Sequence, residues 1–283
     1  MTLKKLLLLL LSAFLLSGCL DSSSPDFEEY DNTADLEFLE ENAQRDDVTV
    51  TESGLQYRVI DEGDGILPTA ESFAVFDFIG RFVDGEVFSD TFDGGQPTYA
   101  LVNEIFPGLE EGLQLMPIGS RYEFVLPPDL SYGNNPQPGF PEGAVLIYEI
   151  DLLHSSNYDP VFLDENAQNE DINVTESGLQ YRIIEEGSGA SPEADSNVSV
   201  EYTGSFIYGE TFDTSRNTEG PASFSLNGVI AGFAEGMQLM QEGARYEFFI
   251  PGNLAYGNQP PQQSPIYPNA TLIFDIELIS VNE

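Results

Sequence analysis

The sequence predicts an α+β fold built twice in tandem, each copy a curved antiparallel sheet of about five or six strands wrapped on one short helix. Three observations predict it. The first is an internal duplication: residues 38–65 align without a gap to 162–189, with 20 of 28 positions identical at an offset of 124. The offset persists through Phe88 and Phe212, Gly108 and Gly232, and Tyr132 and Tyr256, then grows to 126 between Tyr148 and Phe274. A period this long marks tandem domains, because solenoid repeats recur every ~20–50 residues. The second observation is apolar alternation with a period of two, and the third is a single helical interruption in each copy.

Each copy opens on a predicted surface helix, Phe38 to Gln44 and Phe162 to Gln168, docking through Phe and Leu. In the second copy Leu179, Tyr181 and Ile183 alternate with polar residues, as do Val198, Val200 and Tyr202, and Tyr246, Phe248 and Ile250. Leu272, Phe274, Ile276 and Leu278 close the copy. Such runs bury one face of an antiparallel sheet. The interruption is Phe233, Met237 and Met240 at helical spacing, matched by Leu109, Leu113 and Met116. Val200, Phe224, Phe248 and Ile276 read as plain core.

The N-terminus reads as an export signal over residues 1–18: Lys4 and Lys5, then an apolar run too short to span a bilayer. It ends in Leu16-Ser17-Gly18-Cys19, which resembles the lipobox of bacterial lipoproteins, whose Cys is acylated. That resemblance implies a lipid anchor at Cys19, and Leu20 after it implies the outer membrane, facing the periplasm. Several acyl chains hold a protein on a membrane stably. The polar stretch 19–36 reads as a flexible tether, 37–154 as the first domain, 155–161 as a linker and 162–283 as the second domain.

A formal charge of −40, from 49 acids against nine basic residues, repels polyanions and argues against a nucleic-acid partner. Yet 41% of residues are apolar, too many for a disordered chain. One Cys and one His cannot assemble an internal disulfide, a Cys/His zinc site or a His-based triad. His154, the one His, reads as an exposed strand end.

The second copy carries an ordered set of motifs: Val200-Glu201-Tyr202-Thr203-Gly204, Gly209-Glu210-Thr211-Phe212-Asp213, Val229-Ile230-Ala231-Gly232-Phe233, Leu254-Ala255-Tyr256-Gly257 and Ala270-Thr271-Leu272-Ile273-Phe274-Asp275. In order and spacing they resemble the FKBP-type peptidyl-prolyl isomerases, and the lead-in Phe162 to Tyr181 looks like that of the macrophage infectivity potentiator group. The resemblance implies rotation about X-Pro amides in envelope proteins that are unfolded or partly folded, with macrolide inhibitors as possible ligands. It implies a reaction that needs neither metal nor cofactor. It also implies that Tyr202, Phe212, Val229, Ile230, Phe233, Tyr256 and Phe274 line the proline pocket. By the same resemblance Asp213 bonds to Tyr202 at the pocket edge, Ile230 N–H and the Tyr256 hydroxyl meet substrate carbonyls, and Ile266 flanks the mouth. Phe233 stands where the family most often has Trp.

The first copy departs from this pattern. Phe78 replaces Tyr202, Ser89 replaces Asp213 with Asp90 following, and Leu109 replaces Phe233. Ile105 and Phe106 stand for Val229 and Ile230, while Phe88, Tyr132 and Tyr148 keep their aromatic character. The missing Tyr and Asp are the two partners of the implied hydrogen bond, so the first domain is expected to be a weak or inactive binding or spacer module. The reading from another class is a non-catalytic chaperone or scaffold that holds Pro-containing segments in both grooves.

Overall fold

The computed structural model describes residues 30–282, apart from 94, 134 and 136. The export signal, Cys19 and most of the tether therefore lie outside the described residues. The chain forms the two copies predicted, hereafter repeats.

Each repeat begins with a helix that starts earlier than the sequence suggests: α1 spans Thr33–Asn42, and a second helix in the later repeat spans Asp159–Asn166. Residues 33–36, predicted as the end of the tether, belong instead to α1. The reason is long-range. Asp35 and Asp159, 3% and 5% exposed, sit in the first helical turns and accept backbone N–H groups from far along the chain. Asp35 Oδ2 lies 2.7 Å from Val145 N, and Asp159 Oδ2 lies 2.6 Å from Thr271 N. A carboxylate there also suits the positive end of the helix.

The first sheet comprises β1 (Thr49–Val50), β2 (Gln56–Asp61), β3 (Phe73–Phe82), β4 (Val87–Asp90), β5 (Thr98–Leu101), β6 (Arg121–Leu126) and β7 (Leu146–Ser155). Its order is β1-β2-β6-β7-β3-β4, with β5 also pairing β3. Between β5 and β6 lies α2 (Pro107–Leu113), and the helix Asp159–Asn166 follows as α3. The second repeat has β8 (Asn173–Val174), β9 (Gln180–Glu185), β10 (Asn197–Phe206), β11 (Thr211–Thr214), β12 (Ala222–Ser225), α4 (Ala231–Gln238), β13 (Arg245–Ile250) and β14 (Leu272–Asn282). Its order is β11-β10-β14-β13-β9-β8, with β12 on β10. Each sheet is antiparallel and seven-stranded, exceeding the expected five or six because of the two-residue strands β1 and β8.

Alternation is clearest in β10, where Val198, Val200, Tyr202 and Phe206 are buried. Against this face lies α4, whose Gly232, Phe233, Gly236 and Met237 are buried. Gly236 has a packing reason: a Cβ there would stand 2.6 Å from the Phe248 ring, so only glycine lets helix and sheet close. Gly112 and Phe124 repeat the device at 2.7 Å. Val200, Phe248 and Ile276 are fully buried as expected, while Phe224 is half-buried against the same core.

The arginines of strands and adjoining loops are held in ion pairs. Arg58 and Arg81 share Glu123 at 3.1 and 2.6 Å. Arg245 grips Asp275 with two hydrogen bonds, Arg216 joins it at 3.2 Å, and Arg182 meets Glu247. Arg121 pairs with Asp151 and Arg45 with Asp47. All seven arginines of the chain are ion-paired.

Two expectations fail at the junction. Residues 155–161 form no separate linker: β7 runs to Ser155, a 3₁₀ turn covers Ser156–Tyr158, and α3 starts at Asp159. His154 is not an exposed strand end. It is 1% exposed, because its ring meets aromatic residues of the following repeat and its Nε2 lies 2.7 Å from Asp159 Oδ1.

Candidate active site

One bulge assembles the polar part of the cleft. On β10 and β11, Gly204 pairs with Asp213 and Ser205 with Thr211, leaving Phe212 as the extra residue. Consecutive strand residues normally face opposite ways, but a bulge re-aims one of them. Phe212 thus packs on Phe274, ring centroids 5.6 Å apart, while its neighbour Asp213 reaches Tyr202 on the same side. Gly204 permits the close approach: a Cβ there would stand 2.7 Å from the Phe212 ring.

The Tyr202 hydroxyl donates to Asp213 Oδ2 at 2.5 Å. Asp213 is solvent-exposed, whereas the tyrosine is 7% exposed, so the pair sits at the boundary between cleft and water. Burial, and then this hydrogen bond, push the Tyr202 hydroxyl well above the ordinary phenol range. It therefore remains a donor into the alkaline range. Tyr256, 37% exposed, is raised by burial and then by the charge of Asp213.

The floor is aromatic. Phe274 packs on Tyr202 at 6.1 Å and edge-on to Phe233 at 5.6 Å, and Phe224 meets both Tyr202 and Phe233. Phe233 is 4% and Phe274 6% exposed. Phe212, Val229 and Ile230 are half-buried against this cluster. Ile230 is the N-cap of α4, which leaves its N–H outside the helical ladder. Ile266, expected to flank the mouth, is 4% exposed and belongs to the same buried cluster as Phe233 and Phe274.

The first repeat has the same frame and a different filling. Counting back from Leu146 and Leu272 sets Phe140 where Ile266 stands, a match that counting forward from Tyr132 and Tyr256 conceals. The Phe140 ring lies 4.7 Å from Tyr132, 4.9 Å from Phe88 and 5.9 Å from Phe82. Phe106, in the place of Ile230, packs on Tyr132 at 4.6 Å. A continuous run of rings therefore crosses the first cleft from Phe106 to Phe88. Among the described residues no ring packs on Tyr256, and the flanking Ile230 and Ile266 are aliphatic. Phe140 is clipped in place by a turn over Gln137-Pro138-Gly139, with Gly139 at φ +85° as such a turn requires.

Fold and cleft define a class, that of antiparallel-sheet domains with one short helix packed on the sheet, an aromatic pocket and a Tyr–Asp pair at its rim. The FKBP-type peptidyl-prolyl cis-trans isomerase family profile matches residues 65–153 and 189–279, more than half the chain, and the chain belongs to that family. A second profile, the domain amino terminal to FKBP-type peptidyl-prolyl isomerase, matches residues 26–59 and 156–183. Among curated relatives, a probable FKBP-type isomerase FkpA of Neisseria meningitidis serogroup B is 43% identical over 138 residues, 49% of this chain and 50% of that protein. An outer membrane protein MIP of Legionella longbeachae is 47% identical over 122 residues, 43% of this chain and 52% of that protein. The chain spans about half the length of the curated relatives it matches. The crystal structure of FkpA from Escherichia coli aligns with a TM-score of 0.42 at 35% identity, covering 44% of this chain and 58% of that one.

Proposed function

We propose that the chain catalyses cis/trans rotation of X-Pro bonds in protein substrates, and that the second repeat carries the activity. The observation that carries this is the contrast between two clefts on one frame: the second has the Tyr202–Asp213 pair over an aromatic floor, and the first lacks both partners and is crossed by Phe140.

The uncatalysed barrier is ~18–20 kcal/mol, because twisting the amide breaks its resonance. No nucleophile is needed; the site must bind the twisted amide better than the planar forms. A planar imide is the more charge-separated form, so a pocket of Phe, Tyr, Val and Ile side chains favours the twisted one. Phe212, Phe233 and Phe274 receive the proline ring, Val229 and Ile230 flank it, and Ile266 backs the wall from inside. Ile230 N–H and the Tyr256 hydroxyl hold substrate carbonyls, while Asp213 fixes Tyr202. The substrates are exposed proline-containing segments, with hydrophobic macrolides as competing ligands.

A tetrapeptide isomerisation assay on the full chain and on a Phe140→Ile chain tests the assignment. Wild type should accelerate the rotation. Phe140→Ile opens the first cleft without restoring the missing Tyr and Asp, so peptide binding there should appear while turnover stays within about twofold of wild type. A wild-type rate equal to the uncatalysed one, with client aggregation still suppressed, would leave the chain a non-catalytic holdase.

Among the described residues no helix is long and apolar enough to cross a membrane. We place the chain in the bacterial cell envelope, anchored through acylated Cys19 in the outer membrane and facing the periplasm. The signal-like N-terminus and the name of the Legionella relative support this reading. Cys19→Ala should move the chain from the membrane to the soluble fraction; persistence in the membrane fraction refutes the anchor.

A further inference from the structure

The last strand of the first repeat ends against the loop that frames the second cleft. His154, on β7, presents Nε2 to Asp159 Oδ1 at 2.7 Å. Asp159 also accepts the Tyr267 hydroxyl at 2.9 Å and Thr271 N–H at 2.6 Å. An imidazole carrying its hydrogen on Nε2 would make this carboxylate the acceptor of all three neighbours. The imidazole stacks on Tyr208 with centroids 5.3 Å apart and leans on Tyr267 at 5.6 Å.

From there the rings run to the cleft. Tyr208 stacks on Phe206 at 5.0 Å, Phe206 meets Phe212 at 5.1 Å, and Phe212 meets Phe274. Tyr267 directly follows Ile266, so whatever fixes Tyr267 fixes that wall residue. The first repeat adds Val75 to the second hydrophobic core and sets Tyr99 edge-on to Tyr267 at 6.5 Å. The first repeat's own cleft uses a different arrangement: Asp35 stands for Asp159, but Pro141 occupies the position of Tyr267 and offers no hydroxyl.

We propose that His154 is a positioning residue for the second cleft. Through Asp159 and Tyr267 it buttresses the Ile266–Thr271 segment, so the first repeat is part of the second repeat's site and not a spacer. Ile266, Tyr267 and Ala270 are buried in the second core, and two hydrogen bonds to Asp159 with a stacked ring fix the position in which this segment presents them. The kinetic consequence rests on the isomerase reading above; the consequence for loop order does not.

The test compares full-length wild type, His154→Ala and His154→Gln, the last retaining an N–H donor for Asp159. Hydrogen exchange of the 266–271 amides should quicken by about tenfold in His154→Ala, the loss of one buried hydrogen bond, while β13 stays protected. In the tetrapeptide assay KM should rise several-fold with kcat nearly unchanged, and His154→Gln should restore both readouts. Unchanged exchange in a folded His154→Ala chain overturns the proposal, as does acceleration spread evenly over the second repeat. Should His154→Ala fail to fold, Tyr267→Phe keeps the ring and deletes only the hydroxyl. Faster exchange confined to the same segment then supports the proposal, and unaltered exchange sinks it. An inactive wild type defeats the isomerase reading alone, and the exchange data still decide this one.

Discussion

Asp213→Ala in the full chain should lower tetrapeptide isomerisation by roughly one to two orders of magnitude while the fold melts near its wild-type temperature. The expectation follows from an asymmetry. Asp213 is exposed and its loss costs little packing, but it leaves the Tyr202 hydroxyl without its charged acceptor at the edge of an apolar cleft. A hydrogen bond to a charged group contributes about 1.5–3 kcal/mol, and ~1.4 kcal/mol is a factor of ten. Tyr202→Phe should be milder, since it removes the stranded donor and leaves a carboxylate that water can solvate. If Asp213→Ala retains activity within twofold, the second cleft is not where rotation occurs. Equal losses in both variants would instead mean that the pair acts as a unit.

Phe248→Ala should destabilise the chain by about 3–5 kcal/mol without touching the pocket's polar groups. The ring is fully buried, fills the space that Gly236 leaves open on α4, and lies between the β9 and β14 neighbours of its strand. No smaller side chain reaches the helix, and the close-packed surroundings relax only in part, so a cavity remains. Urea denaturation followed by far-UV circular dichroism measures the loss. A shift below about 1 kcal/mol would show that α4 is held chiefly by Met237 and Phe233, and that the glycine–ring contact is incidental.

The parts of this molecule that repeat at short range were legible before any coordinates. Alternation in β10 and β14 and the helix of Phe233 and Met237 follow from local periodicity, and the duplication from comparing the two halves directly. The Tyr202–Asp213 bond came from resemblance, and the bulge at Gly204 supplies its physical reason. What local pattern could not show were contacts set by distant residues. Asp35 and Asp159 extend the opening helices because their acceptors meet backbone groups more than 100 positions away. His154 looks polar and terminal until Tyr208 and Tyr267 close over it. Phe140 was hidden by a two-residue difference in loop length.

The arginine ion pairs have one further consequence. With seven arginines in the sequence and all of them already engaged, the 49 acids far outnumber the cations that could pair with them. Their mutual repulsion is left to dissolved counterions, whose screening length is ~10 Å at ~0.1 M and shrinks as electrolyte is added. Brine is therefore the medium in which this polyanion is most at ease, and dialysis into distilled water the treatment most apt to loosen it.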